Sequence, residues 1–412
     1  IANEHVAPLL LSGLHRLEYR GYDSAGIATL VDGGIHRRRA EGKLQNLDAL
    51  LEKDPIQGRI GIGHTRWATH GVPNTLNAHP HSTEEVALVH NGIIENFLPL
   101  RAELASLGHI FETETDSEVV LRLINEYLRQ GMSPQGATVE MLKRVDGAFA
   151  LGIIFAGYDD LLIGARRGCP LVVGYGEGEM FLGSDALALS SLTERVTYLE
   201  EGDWVEVERE TVSIHESSGK IIDRPIQVTS LSNADIGKGN YQHFMLKEIY
   251  EQPAVIGDCL HSLFNPLERT ISLPDIPIDL SKVNRLNIVA CGTSYYAGLV
   301  ARYWFEEIAG LPVDIDVASE YRYRKVPQQE QVLGVFISQS GETADTLAAL
   351  KYARESGQTV VSLVNVAESS ISRESDGVLQ TLAGPEIGVA STKAFTTQLV
   401  TLIALAVAVG RA

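Results

Sequence analysis

The feature that most constrains this chain is a repeated texture after Asn284. Arg285–Ala290 is a short apolar run, followed by Cys291-Gly292-Thr293-Ser294 and an amphipathic stretch to Ala309. A second run at 332–337 leads into Ser338-Gln339-Ser340-Gly341-Glu342-Thr343 and the helix-like Ala344–Glu355, and Thr359–Val364 supplies a further strand. Short buried strands alternating with helices predict parallel βαβ units and a doubly wound α/β sheet. In such sheets ligands bind beyond the carboxyl ends of the strands, where helix N-termini offer N–H groups and partial positive charge to anions. Both polar segments occupy that position. Their hydroxyls either cap the two helices, the commonest task of Ser and Thr there, or together hold a phosphate with neutral donors. Two such loops at matching strand ends favour the phosphate. No P-loop lysine is present, so a sugar phosphate fits better than a nucleoside triphosphate.

Up to about residue 230 the texture differs. Alternating apolar segments at 150–155, 171–175 and 203–207 are separated by glycine-rich turns, and the period changes to helical over Ser117–Arg129. This predicts an α+β domain of sheets packed against helices. Between the two textures, Ser232, Asn233, Asp235, Gly237, Lys238 and Gly239 make a polar opening to the run HFMLKEIYEQP, which reads as a linker leading into a docking helix. The expected organisation is a first domain over 1–233, a linker over 234–254 and a second domain over 255–412.

Composition narrows the function classes. Among 412 residues, 53 acidic side chains against 34 basic ones give a net charge of −19, which argues against a nucleic-acid or acidic-membrane binder. Three cysteines, Cys169, Cys259 and Cys291, cannot build a disulfide framework and form no CxxC pair, so a reducing, cytoplasmic setting is expected. The most apolar stretch, 399–410, is shorter than the roughly 18–20 residues that cross a bilayer and reads as a buried helix. No signal peptide is expected before the first domain. The chain begins at Ile1 and ends at Ala412 directly after that apolar helix, and is expected to be part of a longer polypeptide.

The densest polar constellation runs from His64 through Arg66, Trp67, Thr69, His70 and Gly71 to Asn77, His79, His81 and His90-Asn91-Gly92. The histidine spacings match neither HExxH nor a Cys/His finger, so metal binding is disfavoured. Asn91-Gly92 lies between the apolar runs 86–89 and 93–94, which reads first as a type I′ hairpin turn and second as an oxyanion donor. Arg66 beside Trp67 is either a surface cation–π pair or a carboxylate clamp. Asp116 either caps the following helix or binds an ammonium. Composition leaves these readings open.

The motifs RLEYRGYDSAG (16–26), HTRWATHG (64–71), NAHPH (77–81), VHNGIIEN (89–96) and ETDSE (114–118) resemble the glutaminase domain of the isomerising glutamine–fructose-6-phosphate aminotransferase family, the glucosamine-6-phosphate synthases. KEIYEQP (247–253), ACGTSY (290–295), SQSGETADT (338–346) and EIGVASTKAFTTQL (386–399) resemble its linker and first sugar-isomerase (SIS) domain. The resemblance implies an N-terminal-nucleophile, class II glutamine amidotransferase domain followed by a flavodoxin-like SIS domain. It implies that glutamine is hydrolysed to glutamate and ammonia, that ammonia reaches fructose 6-phosphate internally, and that isomerisation yields glucosamine 6-phosphate. No cofactor is implied, and a homodimer through SIS domains is expected.

Position by position, the resemblance implies that Arg66, Thr69, His70, Gly92 and Asp116 hold glutamine, that Asn91 and Gly92 form the oxyanion hole, and that Trp67 gates the ammonia passage. It implies a sugar-phosphate site of Thr293, Ser294, Ser338, Gln339, Ser340 and Thr343, with Val389 nearby. Two departures stand out. The family's N-terminal Cys nucleophile has no counterpart at Ile1, nor at Cys169, Cys259 or Cys291, and the second SIS domain with its isomerase acid and base is not in the sequence. The alternative is a non-catalytic sugar-phosphate sensor with a degenerate glutaminase domain. An amidotransferase acting on a phosphoribosyl diphosphate is disfavoured, because SIS motifs stand where a phosphoribosyltransferase domain would be.

Overall fold

A computed structural model describes residues 1–18, 22–229, 241–266, 268–274, 276, 279–326 and 331–412. The chain divides into two units, Ile1–Asp235 and Ile236–Ala412. The expected boundary near Asn233 and the first part of the expected linker, 234–240, lie outside the described residues.

In the first unit the alternation seen in the sequence becomes stacked antiparallel sheets. A seven-stranded sheet has Gly147–Phe155 near its middle, flanked by Val86–Ile94 and Leu162–Arg167. Along Gly147–Phe155 the pleat sends successive side chains to opposite faces. Phe149, Leu151, Ile153 and Phe155 join one buried cluster with Val120, Leu121 and Ile124 of helix Ser117–Arg129. Ala150 and Ile154 join another with Ala28, Leu30 and Ile62 of a three-stranded sheet ordered Gly34–Glu41, Ser24–Val31, Gly61–Arg66. Burying each large apolar side chain contributes about 1.5–3 kcal/mol, so both faces of the central sheet are anchored. The ends of Gly61–Arg66 and Val86–Ile94 and the start of helix Ser117–Arg129 supply the polar constellation.

The second unit is the α/β sheet the sequence predicts. Five parallel strands run in the order Val313–Val317, Arg285–Ala290, Val332–Ser338, Thr359–Val364, Gly377–Gln380. Leu286, Ile288, Leu333, Val335, Val361 and Leu363 face one helical layer, and Val289, Phe336 and Val360 face the other. The strands are buried on both sides, which is why they read as continuous apolar runs.

Four elements extend the sequence reading. The edge strands Val313–Val317 and Gly377–Gln380 carry charged or polar residues and left little apolar signal. Helix Lys393–Arg411 is longer than the apolar run at its end and is long and apolar enough to cross a membrane by length and composition. It packs instead into the unit's core through Leu402, Leu405, Ala406 and Val409. Helix Phe244–Leu263 also belongs to this unit, with buried Cys259 and Leu263 against Ala404 of that long helix.

Candidate functional site

In the first unit a cavity of about 460 Å³ is lined by Arg66, Trp67, Thr69, His70, Asn91, Gly92 and Asp116 among other residues. Every residue expected at the glutamine site therefore lines one cavity.

Asn91-Gly92 is not a hairpin turn. Both residues lie within the nine-residue strand Val86–Ile94, opposite Ala150 and Phe149. The runs on either side of the pair are one strand, and the glycine serves a different purpose. Gly92 has φ +121, and a Cβ there would stand 2.0 Å from the Ala148 carbonyl oxygen. Only glycine lets the neighbouring strand approach this closely.

Asp116 sits at the N-cap of Ser117–Arg129 but makes no side-chain cap. Its backbone is already helical, with φ −65 and ψ −30, so the carboxylate turns away from the helix. Oδ2 accepts the Ile94 N–H at 2.7 Å, and Oδ1 lies 3.9 Å from His70 Nδ1. At 3% exposure, Asp116 is a buried anion with one oxygen committed to the neighbouring strand.

Arg66 and Trp67 do not form a surface pair, since Arg66 is buried while Trp67 is 62% exposed. The guanidinium donates to the carbonyls of His70 (2.5 Å), Gly71 (3.2 Å) and Val72 (3.4 Å) and lies 3.9 Å from the Asp23 carboxylate. Arg66 thus shapes the 67–72 loop from below. Asp23 accepts the Ala68 N–H at 2.5 Å, and Glu114 accepts the N–H of Val72 at 3.2 Å and of the Asn77 amide at 3.1 Å. The supporting roles of Asp23 and Glu114 were not legible in the sequence, because their partners are distant backbone groups.

Beside these residues four histidine rings cluster, with His79, His81 and His90 buried and His64 half-buried. The His79 ring centroid is 4.5 Å from that of His64 and 4.4 Å from that of His81. Ser117 Oγ joins His90 Nδ1 at 2.8 Å and His79 Nε2 at 3.3 Å, while Thr115 Oγ1 meets His81 Nε2 at 3.1 Å. Burial pushes His64 and His90 down to about 4 and holds His79 and His81 well below the usual imidazole range. The rings are neutral, and His64 Nε2 faces Asn91 Oδ1 at 3.4 Å. If that nitrogen carries the proton, Asn91 keeps its amide N–H groups for the cavity.

In the second unit the parallel register brings the expected sugar-phosphate residues to one sheet edge. Thr293 and Ser294 follow Arg285–Ala290, and Ser338, Gln339, Ser340 and Thr343 end or follow the adjacent strand Val332–Ser338. Val389 lies beyond the edge strand Gly377–Gln380 and is 75% exposed. The capping reading fails here. The N-caps are Cys291 and Thr343, and neither side chain makes a cap. Ser294 Oγ instead accepts from Gln398 Nε2 at 3.0 Å, Ser338 Oγ accepts the Gly341 N–H at 3.0 Å and meets Thr343 Oγ1 at 2.9 Å, and Ser340 Oγ accepts the Glu342 N–H at 3.2 Å. Gly341, at φ +66, leaves no room for a Cβ, which would fall 1.9 Å from Ser369 Oγ.

Residues 52–217 match the glutamine amidotransferase domain family and residues 279–408 the SIS domain family. The chain is 58% identical over 411 residues to the isomerizing glutamine–fructose-6-phosphate aminotransferase of Zymomonas mobilis, covering 100% of this chain and 68% of that protein. It is 57% identical over 415 residues to the enzyme of the same name from Brucella suis, with the same coverage of each chain. A solved C-terminal domain of glucosamine-fructose-6-phosphate aminotransferase from Francisella tularensis is 45% identical over 42% of this chain and 49% of that one, with a TM-score of 0.40. With an antiparallel amidotransferase unit followed by a parallel SIS sheet, and with identity of this depth along its whole length, the chain belongs to the isomerising glutamine–fructose-6-phosphate aminotransferase family.

Proposed function

We propose that this chain takes ammonia from glutamine in its first unit and delivers it to fructose 6-phosphate, which is isomerised to glucosamine 6-phosphate with release of glutamate. The observation that carries the reading is the convergence of Arg66, Asn91, Gly92 and Asp116 on one cavity. Arg66 lines the cavity with its guanidinium held by the loop carbonyls, and its positive charge attracts the α-carboxylate of glutamine. Asp116 Oδ1 then pairs with the α-ammonium, while Oδ2 stays on Ile94. Thr69 and His70 close the same end of the ligand.

With both ends fixed, the side-chain amide is held for attack, which lowers the barrier by prepaid orientation. The Asn91 amide and the Gly92 N–H stabilise the oxyanion of the tetrahedral intermediate. Cys169, Cys259 and Cys291 are absent from the cavity lining, so none of them is assigned as nucleophile. Trp67, exposed and on the cavity wall, gates the released ammonia. In the second unit the hydroxyls of Thr293, Ser294, Ser338, Ser340 and Thr343, the Gln339 amide and the helix N-termini take the sugar phosphate, with Val389 beside it. No cofactor is needed. We also infer a cytoplasmic enzyme that pairs through SIS domains. The exposed apolar line Tyr296, Val300 and Tyr303 on helix Gly292–Trp304 supports the pairing.

The test is a calorimetric titration of fructose 6-phosphate into the full-length protein and its Ser338→Ala/Thr343→Ala variant. Each lost hydrogen bond to a charged group is worth roughly 1.5–3 kcal/mol, so the double variant binds at least tenfold more weakly. Unchanged affinity would remove these residues from the site.

A further inference from the structure

Helix Phe244–Leu263 turns one face toward the loop that precedes helix Lys393–Arg411. Glu248, Glu251 and Gln252, three and four residues apart and therefore on one side of the helix, each reach across. Glu248 Oε1 accepts the N–H groups of Ile387 at 2.6 Å and Gly388 at 2.9 Å. Glu251 Oε2 takes the Lys393 ammonium at 2.7 Å, and Gln252 Oε1 accepts the Thr396 hydroxyl at 3.0 Å.

Glu248 is the notable member. It is 2% exposed, and a carboxylate taken this far from water is costly unless hydrogen bonds compensate it. Among the described residues its Oε2 has no hydrogen-bond partner, so the two loop N–H groups carry that compensation. The loop in turn is fitted to the carboxylate. A Cβ on Gly388 would stand 2.5 Å from Glu248 Oε2.

The same loop is fastened on either side of this contact. Upstream, Asn365 accepts the Ala383 N–H and donates to the Gly384 carbonyl, each at 2.8 Å, while its own N–H bonds the Gln339 carbonyl at 3.1 Å. Downstream, Glu386 Oε1 accepts the N–H groups of Thr392 at 2.8 Å and Ala394 at 3.1 Å. Exposed Val389 sits between these fastenings.

We propose that Glu248 is a positioning residue for the sugar-phosphate site: its buried carboxylate fixes the backbone at Ile387 and Gly388 and thereby sets where Val389 meets the hexose. The proposal rests on the sugar-phosphate reading above. It makes the helix after the inter-unit segment part of the sugar site's framework.

In the full-length enzyme, Glu248→Ala should raise the KM for fructose 6-phosphate by about tenfold or more, the effect of losing two bonds to a charged acceptor. The kcat and the rate of glutamine hydrolysis should stay within about twofold, because a positioning defect is overcome at saturating sugar. Glu248→Gln keeps one acceptor oxygen without charge and should fall between Glu248→Ala and the parent. Gly388→Ala places a methyl 2.5 Å from Glu248 Oε2, so the carboxylate and the loop are pushed apart whichever of them yields, and the variant should reproduce the raised KM. That variant decides the matter if Glu248→Ala does not fold. Unchanged KM in Gly388→Ala or in folded Glu248→Ala overturns the inference, as does an equal fall in kcat without a change in KM. If Ser338→Ala/Thr343→Ala weakens sugar binding in the same assay, the site reading survives that failure. If it does not, the site reading fails as well.

Discussion

Asp116 divides its two carboxylate oxygens between two duties. Oδ2 holds the Ile94 N–H of the strand that carries Asn91 and Gly92, and Oδ1 faces the cavity beside His70. Replacing the residue with alanine would remove both functions and leave a buried N–H without an acceptor, at about 1–3 kcal/mol. Asp116→Asn separates them, because the amide oxygen still accepts from Ile94 while the charge that would meet the substrate ammonium is gone. The variant should fold, hydrolyse glutamine with a KM raised roughly tenfold or more, and bind fructose 6-phosphate as before. Steady-state kinetics for glutamine and titration of the sugar check the two halves. An equal loss in both would show that Asp116 acts only on the fold. Sequence reading saw the residue but not the division, since the local context of ETDSE is that of a helix cap and the strand it serves is 22 residues away. The same blindness turned Asn91-Gly92 into a turn: Asn-Gly is a strong local signal, and the Ala148 carbonyl that demands the glycine is nonlocal.

At the scale of elements, what the sequence made legible was periodicity. The buried parallel strands and the helix Ser117–Arg129 were readable because their apolar patterns match the periods of sheet and helix. The edge strand Val313–Val317, with sequence VDIDV, was not, because one side of an edge strand needs no apolar neighbour. The cross-links between elements were equally hidden. Glu118, 2% exposed in the first turn of Ser117–Arg129, accepts the N–H groups of Glu112 at 3.0 Å and Thr113 at 2.7 Å, the Thr113 hydroxyl at 2.8 Å, and Arg122 Nη2 at 2.8 Å. It clasps the 112–115 loop onto the helix that presents Asp116. Glu118→Ala leaves half-buried Arg122, the buried Thr113 N–H and the Glu112 N–H without their acceptor, and should destabilise the first unit by about 1–3 kcal/mol. Chemical denaturation followed by circular dichroism measures this directly, and a loss below about 1 kcal/mol would mean that water replaces the carboxylate at no cost.

Over the whole molecule, the four clustered histidines give the two units different responses to acid. His64 and His90 are held down to about 4, and His79 and His81 lie well below their ordinary value, in each case chiefly because burial disfavours the charged ring. In the unfolded chain they titrate near 6.5, so between about 6.5 and about 4 the unfolded state binds more protons than the folded one. The neutral rings therefore contribute stability that is fully present above about pH 6.5 and is lost as pH falls below it, by roughly 1 kcal/mol per pH unit for each ring. His15, raised by its bond to Glu18, acts in the opposite sense, but it is partly exposed and its effect is screened. The second unit contains only His243 and His261 of the twelve histidines. Scanning calorimetry at a series of pH values should accordingly show two transitions, with the one belonging to the first unit falling steeply from pH 6.5 to 5 while the other moves little. Replacing His79 with Gln, which cannot be protonated, should flatten the acid slope of the first transition by about one proton even though it weakens the stack. If both transitions move in parallel, or if the His79→Gln slope matches the parent's, these rings are already protonated or solvated in the folded state, and the neutral wall beneath Asn91 does not exist in solution.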